Sequence, residues 1–123
     1  MGSVSPLRAA RSILIVEDEL LVGLELEQIL RDAGWHAIAR VNSVSAALAA
    51  IATTKIDAAV VDLNLGRESA YPVVDMLAAE GIPFMILTGY AIEDVRQEHR
   101  RRTVGKPFQS DELIGALDRA IAA

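Results

Sequence analysis

The chain has 123 residues, 52% of them hydrophobic and 24% charged, which fits one globular domain and excludes a disordered or low-complexity protein. It contains no cysteine, so disulfides, thiolate metal sites and cysteine nucleophiles are excluded. The formal net charge of −5 disfavours binding to nucleic acid, because neutralising phosphates requires a basic face.

Neither a membrane helix nor a signal peptide is indicated. The longest uninterrupted apolar run, 46–52, is far shorter than the roughly 20 residues that span a bilayer. The first residues also lack the apolar segment of a signal peptide. We therefore expect a cytoplasmic protein with no membrane contact, a flexible tail at residues 1–11 and one domain over residues 12–123.

Five short apolar runs, most of them rich in β-branched residues, predict β-strands. In chain order they cover 12–16, 35–41, 58–61, 84–87 and 103–105. Between them lie segments with helical spacing of apolar residues. These cover 20–30 up to Gly34, 44–53 with Ser43 as the N-cap, 72–80 closed by Gly81, and a last helix capped by Ser110.

The segment between Ile92 and Arg102 is the least regular. Residues 96–102 offer no apolar side chain to bury, so a fourth helix there is expected to be short, weakly anchored and mobile. Strands that alternate with helices form a parallel sheet with helices on both faces. The expected architecture is therefore a doubly wound α/β fold, whose ligands bind beyond the carboxyl ends of the strands.

Polar residues follow four of the predicted strands at this edge of the sheet. They are Glu17 and Asp18, then Asp62, then Thr88, then Lys106. Three carboxylates in a partly buried cleft repel one another, and a hard divalent cation such as Mg²⁺ relieves that repulsion. A lysine and a hydroxyl group nearby can bind phosphoryl oxygens. The pattern favours phosphoryl chemistry with a carboxylate as the covalent acceptor.

Four motifs, ILIVEDE, VVDLN, ILTGY and GKPF, occur in this order and resemble the receiver domain of two-component response regulators, of the chemotaxis-regulator type. The resemblance covers about residues 12–123. It implies a flavodoxin-like five-stranded sheet with strand order 2-1-3-4-5. It also implies that Asp62 accepts a phosphoryl group from a histidine kinase or a histidine phosphotransfer protein.

The resemblance implies roles for the surrounding residues too. Mg²⁺ would be held by Glu17, Asp18, Asp62 and the backbone carbonyl of Asn64, directly or through water. Thr88 and Lys106 would bind phosphoryl oxygens, and the Lys106–Pro107 peptide bond would be cis. Phosphorylation would then remodel the face formed by the fourth helix, fifth strand and fifth helix, where a downstream protein would bind.

Two positions depart from the family pattern. Glu17 stands where the family most often has aspartate, and its longer side chain is expected to weaken metal binding or to route it through water. Thr103 occupies the position of the usual aromatic switch residue. Because PFMILTGY resembles the PFxFATGY signature of a single-domain alphaproteobacterial subclass, we expect Tyr90 to take the switch role together with Thr88. The replacement of the common Pro-x-x-Gly segment by GRESAYP supports the same subclass.

Other functions explain the motifs less well. Each motif alone also fits a helix cap, a turn or a solvated charge. A haloacid dehalogenase phosphatase needs an acid where Asn64 stands, and a nucleotide-binding domain needs a glycine-rich loop after its first strand. A degenerate receiver that acts as a phosphorylation-independent interaction module is the alternative that remains open.

The remaining candidates carry weaker signals. His36 and His99 have no metal-ligand partner at helical spacing, so we expect both on the surface. Trp35 is expected to pack in the core. Residues 100–102, three consecutive arginines, fit either a contact with an acidic partner or a solvated edge that discourages strand pairing.

The sequence thus predicts a signalling receiver rather than a metabolic enzyme. Its own residues would catalyse phosphoryl transfer onto Asp62 and the later hydrolysis. No output segment follows residue 123, so the expected output is binding to another protein, unless the chain is a piece of a larger regulator or hybrid kinase.

Overall fold

The computed structural model describes residues 11–122, so residues 1–10 of the expected tail lie outside the described part. Within residues 11–122 the chain forms seven strands: β1 Ser12–Val16, β2 Ala37–Val41, β3 Ala58–Asp62, β4 Asn64–Leu65, β5 Glu68–Ser69, β6 Phe84–Thr88 and β7 Thr103–Gly105. The same residues form four α-helices: α1 Leu20–Asp32, α2 Val44–Thr53, α3 Tyr71–Ala79 and α4 Ser110–Ala122. Two 3₁₀ helices, Ile92–Asp94 and Gln97–Arg102, lie between β6 and β7.

The main sheet confirms the expected fold. Its strands lie in the order β2-β1-β3-β6-β7, and every neighbouring pair is parallel. Since β6 and β7 are the fourth and fifth strands of the predicted series, this is the expected order 2-1-3-4-5. No helix within residues 11–122 is long and apolar enough to cross a membrane.

The core lies on both faces of the sheet, which is why the central strands read as continuous apolar runs. Every residue of β3 and β6 is buried, whereas the edge strand β2 is largely exposed. One cluster joins the sheet to α2 and α3, and the other joins it to α1 and α4. Trp35 is buried in the second cluster, as expected.

Several boundaries differ from the prediction by a residue or two. The second strand begins at Ala37 rather than at Trp35, because Trp35 turns into the core before the strand pairs with β1. Ser43 caps α2 as expected, and its hydroxyl accepts a hydrogen bond from the Ala46 amide. The last helix already includes Ser110, so Ser110 is its first residue rather than its cap.

The sequence did not predict the small antiparallel hairpin formed by β4 and β5 directly after β3. Its turn contains Gly66 at φ 60°, a left-handed conformation that glycine adopts without steric cost. A Cβ at this position would lie 3.6 Å from a carboxylate oxygen of Asp18, an ordinary van der Waals distance. The left-handed backbone conformation, rather than a lack of space, therefore favours glycine here.

The predicted fourth helix is not an α-helix. Two short 3₁₀ helices replace it, and within them and their junction the buried residues are Val95 and His99. The segment is held to α3 by Arg96, whose side chain bonds to Asp75 (2.7 Å) and stacks over the ring of Tyr71. The Arg96 amide also donates to the Tyr71 hydroxyl at 3.0 Å.

The expectation that His99 lies on the surface is wrong. Only 9% of His99 is exposed, and its ring packs edge-on against Phe84 with centroids 5.3 Å apart. A single histidine in a charged run has no periodic pattern that would signal burial. His36, in contrast, is exposed as expected.

The buried imidazole predicts a pH dependence of stability. Burial lowers the pKa of His99 below its ordinary value of 6.5, with Arg102 and Arg96 acting in the same direction against the opposing charges of Glu98 and Asp75. As the pH falls through 6.5, the unfolded chain therefore binds the proton at His99 more readily than the folded chain does. His99 thus destabilises the fold under acid conditions.

We therefore expect a His99→Gln chain to lose less of its free energy of unfolding than wild type between neutral pH and about pH 5.5. Urea titrations at both pH values measure this difference. A His36→Gln chain serves as the control, because His36 is exposed. An equal acid loss in wild type and His99→Gln would contradict the prediction.

Candidate functional site

The register of the sheet brings the predicted site residues to one edge. Val16 pairs with Val61, and Asp62 with Leu87, so β1, β3 and β6 end at the same level. Glu17, Asp62 and Thr88 are all buried at this edge, with at most 5% of each residue exposed. The edge is a cleft rather than a solvated surface.

Lys106 follows the edge strand β7 and contacts the carboxylates of Asp62 and Glu17. Its ammonium group lies 2.7 Å from Asp62 Oδ2 and 3.1 Å from Glu17 Oε1. A third contact, at 3.8 Å, reaches the exposed Glu19. The Lys106–Pro107 bond is cis, as the resemblance implied, and the Lys106 amide donates to the Thr88 carbonyl at 2.8 Å.

Two opposed effects act on Lys106. Burial opposes its positive charge, but the hydrogen bond to Asp62 and the negative charges of Asp62 and Glu17 outweigh that effect and raise the pKa of the ammonium group. The lysine therefore stays protonated at neutral pH. Within the described part of the chain, it is the one positive charge in direct contact with the two buried carboxylates.

The carboxylates remain crowded in spite of this lysine. Burial raises the pKa of Glu17 to about 7, and the neighbouring Asp62 carboxyl adds to the rise, while the Glu19 amide and Lys106 oppose it. Oxygens of Glu17, Asp18 and Asp62 all lie within 4.8 Å of one another. Such a group of oxygens gains electrostatically from a cation placed between them.

These residues fit Mg²⁺ by donor type. Carboxylates offer the hard oxygen ligands that Mg²⁺ prefers, and the cluster contains no sulfur or nitrogen ligand that would favour a transition metal. Asp18 is exposed, whereas Glu17 and Asp62 are buried, so the cluster is open to solvent on one side. A cation entering from that side would keep several of its waters, as Mg²⁺ usually does.

Two of the three predicted switch residues lie together. The Thr88 hydroxyl accepts a hydrogen bond from the Tyr90 amide at 3.0 Å, which leaves its own hydrogen available for a further acceptor. The Tyr90 side chain is 66% exposed. Thr103 lies elsewhere: it is buried, and its hydroxyl donates to the His99 carbonyl at 2.7 Å. Thr103 is thus engaged with the second 3₁₀ helix.

The hairpin positions the loop that follows the phosphoacceptor candidate. The Asn64 amide donates to Asp62 Oδ1 at 3.1 Å, and the Ala70 amide bonds back to the Leu63 carbonyl at 2.8 Å. Leu65 is buried and anchors the hairpin in the core. The backbone of Asn64 is therefore fixed beside Asp62.

The sequence analysis missed two features of this region. The first is the approach of Gly66 to Asp18, for which a glycine after VVDLNL was the only signal. The second is Tyr71, which begins α3 and contacts Arg96 through its hydroxyl and its ring. Through Tyr71, the helix that follows the hairpin also contacts the 3₁₀ segment.

The chain is similar to the receiver domains of response regulators in sequence and in structure. The family profile of the response regulator receiver domain matches residues 13–118. Among solved structures, SdrG from Sphingomonas melonis Fr1 is 38% identical with a TM-score of 0.79, over 94% of this chain and 98% of that one. The BeF3-activated conformation of SdrG, from Pseudomonas melonis Fr1, is 39% identical with a TM-score of 0.75, over 89% of this chain and 95% of that one.

Two curated relatives are longer proteins. The two-component response regulator PprB from Pseudomonas aeruginosa is 32% identical over 88% of this chain and 42% of its own length. The transcriptional regulatory protein PdtaR from Mycobacterium tuberculosis is 27% identical over 91% of this chain and 57% of its own length. The chain therefore spans about half the length of the curated relatives it matches.

Because Mg²⁺ would bind the carboxylate cluster of the folded chain, we expect Mg²⁺ to stabilise the folded state. At a Mg²⁺ concentration ten times the Kd, binding to the folded state alone should raise the free energy of unfolding by about 1.4 kcal/mol. Thermal unfolding with increasing MgCl₂ measures the effect. An Asp18→Asn chain should lose most of the response, whereas Glu25→Gln, which removes an exposed charge of α1, should keep it. Equal responses in wild type and Asp18→Asn would contradict a site at this cluster.

Proposed function

The chain belongs to the response regulator receiver domain family, and on this basis we propose that Asp62 accepts a phosphoryl group from a phosphohistidine of a histidine kinase or phosphotransfer protein. The observation that carries the proposal is the position of Asp62, buried at the end of β3 with a lysine at 2.7 Å and two further carboxylates beside it. Phosphorylation would then change the contacts that the chain makes with other proteins.

The proposed transfer uses groups of this chain in defined roles. A carboxylate oxygen of Asp62 forms the new P–O bond as the P–N bond to the donor imidazole breaks, and the imidazole takes up a proton as it leaves. Lys106, already in contact with Asp62, would neutralise one phosphoryl oxygen, and the Thr88 hydroxyl would donate to another. Hydrolysis by water would later restore the carboxylate.

Glu17, Asp18, Asp62 and the Asn64 backbone carbonyl are the proposed Mg²⁺ ligands, directly or through water. When bound, the cation supplies charge neutralisation for the carboxylates and the incoming phosphoryl group. Glu17 fits this role despite its extra methylene, because its carboxylate already reaches Lys106 and lies with Asp18 and Asp62. The BeF3-activated structure of the relative SdrG supports phosphoryl chemistry of this class.

The test is the intact mass of the protein after incubation with a small phosphodonor, with and without Mg²⁺. We expect a Mg²⁺-dependent gain of one phosphoryl group that is lost under conditions that hydrolyse acyl phosphates. An Asp62→Asn chain should show no gain, and Asp57→Asn, which changes an acid at the opposite end of β3, should behave as wild type. No gain under any condition would favour the phosphorylation-independent interaction module.

We also propose that Tyr90 acts with Thr88 in the switch. Because the Tyr90 amide bonds to the Thr88 hydroxyl, a hydroxyl drawn toward a phosphoryl group carries the backbone of residue 90 with it. That backbone leads directly into the 3₁₀ segment at 92–102, which few buried side chains anchor. Phosphorylation is therefore expected to order this segment and to alter the face that it forms with β7 and α4.

Amide hydrogen exchange checks this proposal. In the free chain, residues 92–102 should exchange faster than α3, and beryllofluoride with Mg²⁺ should slow them. In Tyr90→Ala the slowing should be reduced, while Ile92→Ala, which trims another exposed apolar side chain of the segment, should retain it. Exchange in free wild type as slow as in α3, or full slowing in Tyr90→Ala, would contradict the proposed switch.

A further inference from the structure

Three arginines from two separate elements line one groove. Arg101 and Arg102 come from the second 3₁₀ helix, and Arg119 comes from the last turn of α4. With Glu98 and Ala122 they line a cavity of about 400 Å³, which we call the basic groove. The residues of the groove lie between positions 98 and 122 of the sequence, whereas the acidic cluster is formed by Glu17, Asp18 and Asp62. Folding brings Arg119 next to Arg101 and Arg102.

The arginines of the groove differ from their neighbours in their contacts. Arg96 pairs with Asp75, and Arg100 donates to the carbonyls of Val95 and Glu93, so both are used within the fold. Among residues 11–122, neither Arg101 nor Arg119 forms an ion pair or a side-chain hydrogen bond. The guanidinium group of Arg102 lies 4.5 Å from the ring centroid of Phe84, which leaves its hydrogen-bond donors unused within the same range.

A second cavity lies beside the groove. It has a volume of about 380 Å³, shares Glu98, Arg102 and Ala120 with the first, and is lined further by the half-buried side chains of Ile82 and Pro83. Arg102 therefore lies between the other two arginines and these apolar side chains. An occupant that matches both carries negative charge at one end and an apolar side chain at the other.

We infer that this groove binds an acidic segment of a partner protein that also presents an apolar side chain. Glu98 offsets one of the three positive charges, so the groove keeps a net positive charge on a chain whose formal net charge is −5. Among residues 11–122, Arg101 and Arg119 form no ion pair or side-chain hydrogen bond, and carboxylates of a partner could pair with both through bidentate hydrogen bonds. Because the rest of the chain carries net negative charge, an acidic segment would be repelled elsewhere and attracted to this groove.

This inference deepens the proposed function, since the groove lies on the face of the 3₁₀ segment and α4 through which the output is proposed to act. It decides between the two interpretations of the arginine run: Arg101 and Arg102 contact an acidic partner rather than serve only as a solvated edge. Its test needs no phosphoryl transfer, so it can fail while Asp62 is phosphorylated, and it can succeed when Asp62 is not.

The probe is a short fluorescein-labelled peptide of glutamates around a central phenylalanine, titrated with the full chain and followed by fluorescence anisotropy, with and without beryllofluoride. We expect binding that weakens as NaCl rises. Replacing both groove arginines that lack contacts (Arg101→Gln with Arg119→Gln) should weaken binding about five- to tenfold. The matched control, Lys55→Gln with Arg67→Gln, removes two exposed charges elsewhere and should stay within about twofold.

Two further arms complete the design. A peptide with glutamine in place of glutamate should bind no better than background, and a peptide with serine in place of phenylalanine should bind more weakly than the probe. The arginine double variant should unfold at the same temperature as wild type, because both arginines are exposed and form no ion pair among residues 11–122, so weaker binding would not reflect unfolding. The inference is overturned if the acidic peptide fails to bind in either state, if the double variant binds it as wild type does, or if single-stranded DNA binds more tightly than the peptide.

Discussion

The contact on which the rest of the site depends is the one between Lys106 and the carboxylates of Asp62 and Glu17. A parallel sheet whose strands end in acids brings negative charges together in a cleft where water screens them poorly. One half-buried ammonium group faces three carboxylates, and burial, with the neighbouring Asp62 carboxyl adding to it, raises the pKa of Glu17 to about 7. The edge of the sheet is therefore arranged to gain from added positive charge, which a hard cation provides.

The same edge is connected to the 3₁₀ segment at 92–102, in which Val95 and His99 are the buried residues. Thr88 bonds to the Tyr90 amide on one side, and on the other the hairpin after Asp62 leads into α3, whose Tyr71 and Asp75 hold Arg96. The 3₁₀ segment thus receives contacts from both sides of the phosphoacceptor candidate. Because Val95 and His99 are its buried residues, small changes in these contacts can shift it where a fully packed helix would resist.

The fold class and the location of the site residues could be predicted because both follow from periodicity. Once apolar strands alternate with helices, the residues after the strands lie at one edge of a parallel sheet. The strand order that brings Glu17, Asp62 and Thr88 next to one another was implied by the family resemblance. The hairpin at Asn64–Leu65 and Glu68–Ser69 has strands of two residues each, too short for an alternating pattern. His99 is buried by an aromatic contact with Phe84, and Arg119 joins Arg101 across two elements, neither of which leaves a periodic signal.

The identity of the residue that carries the phosphoryl group tests the proposed role of Asp62 most directly. Borohydride reduces an acyl phosphate of aspartate to homoserine, so treatment of the phosphorylated chain followed by peptide sequencing by mass spectrometry identifies the residue that carried the phosphoryl group. We expect homoserine in place of Asp62, formed only when Mg²⁺ was present during phosphorylation. Homoserine in place of Asp18 or Asp57, or at Asp62 to the same extent without Mg²⁺, would contradict it.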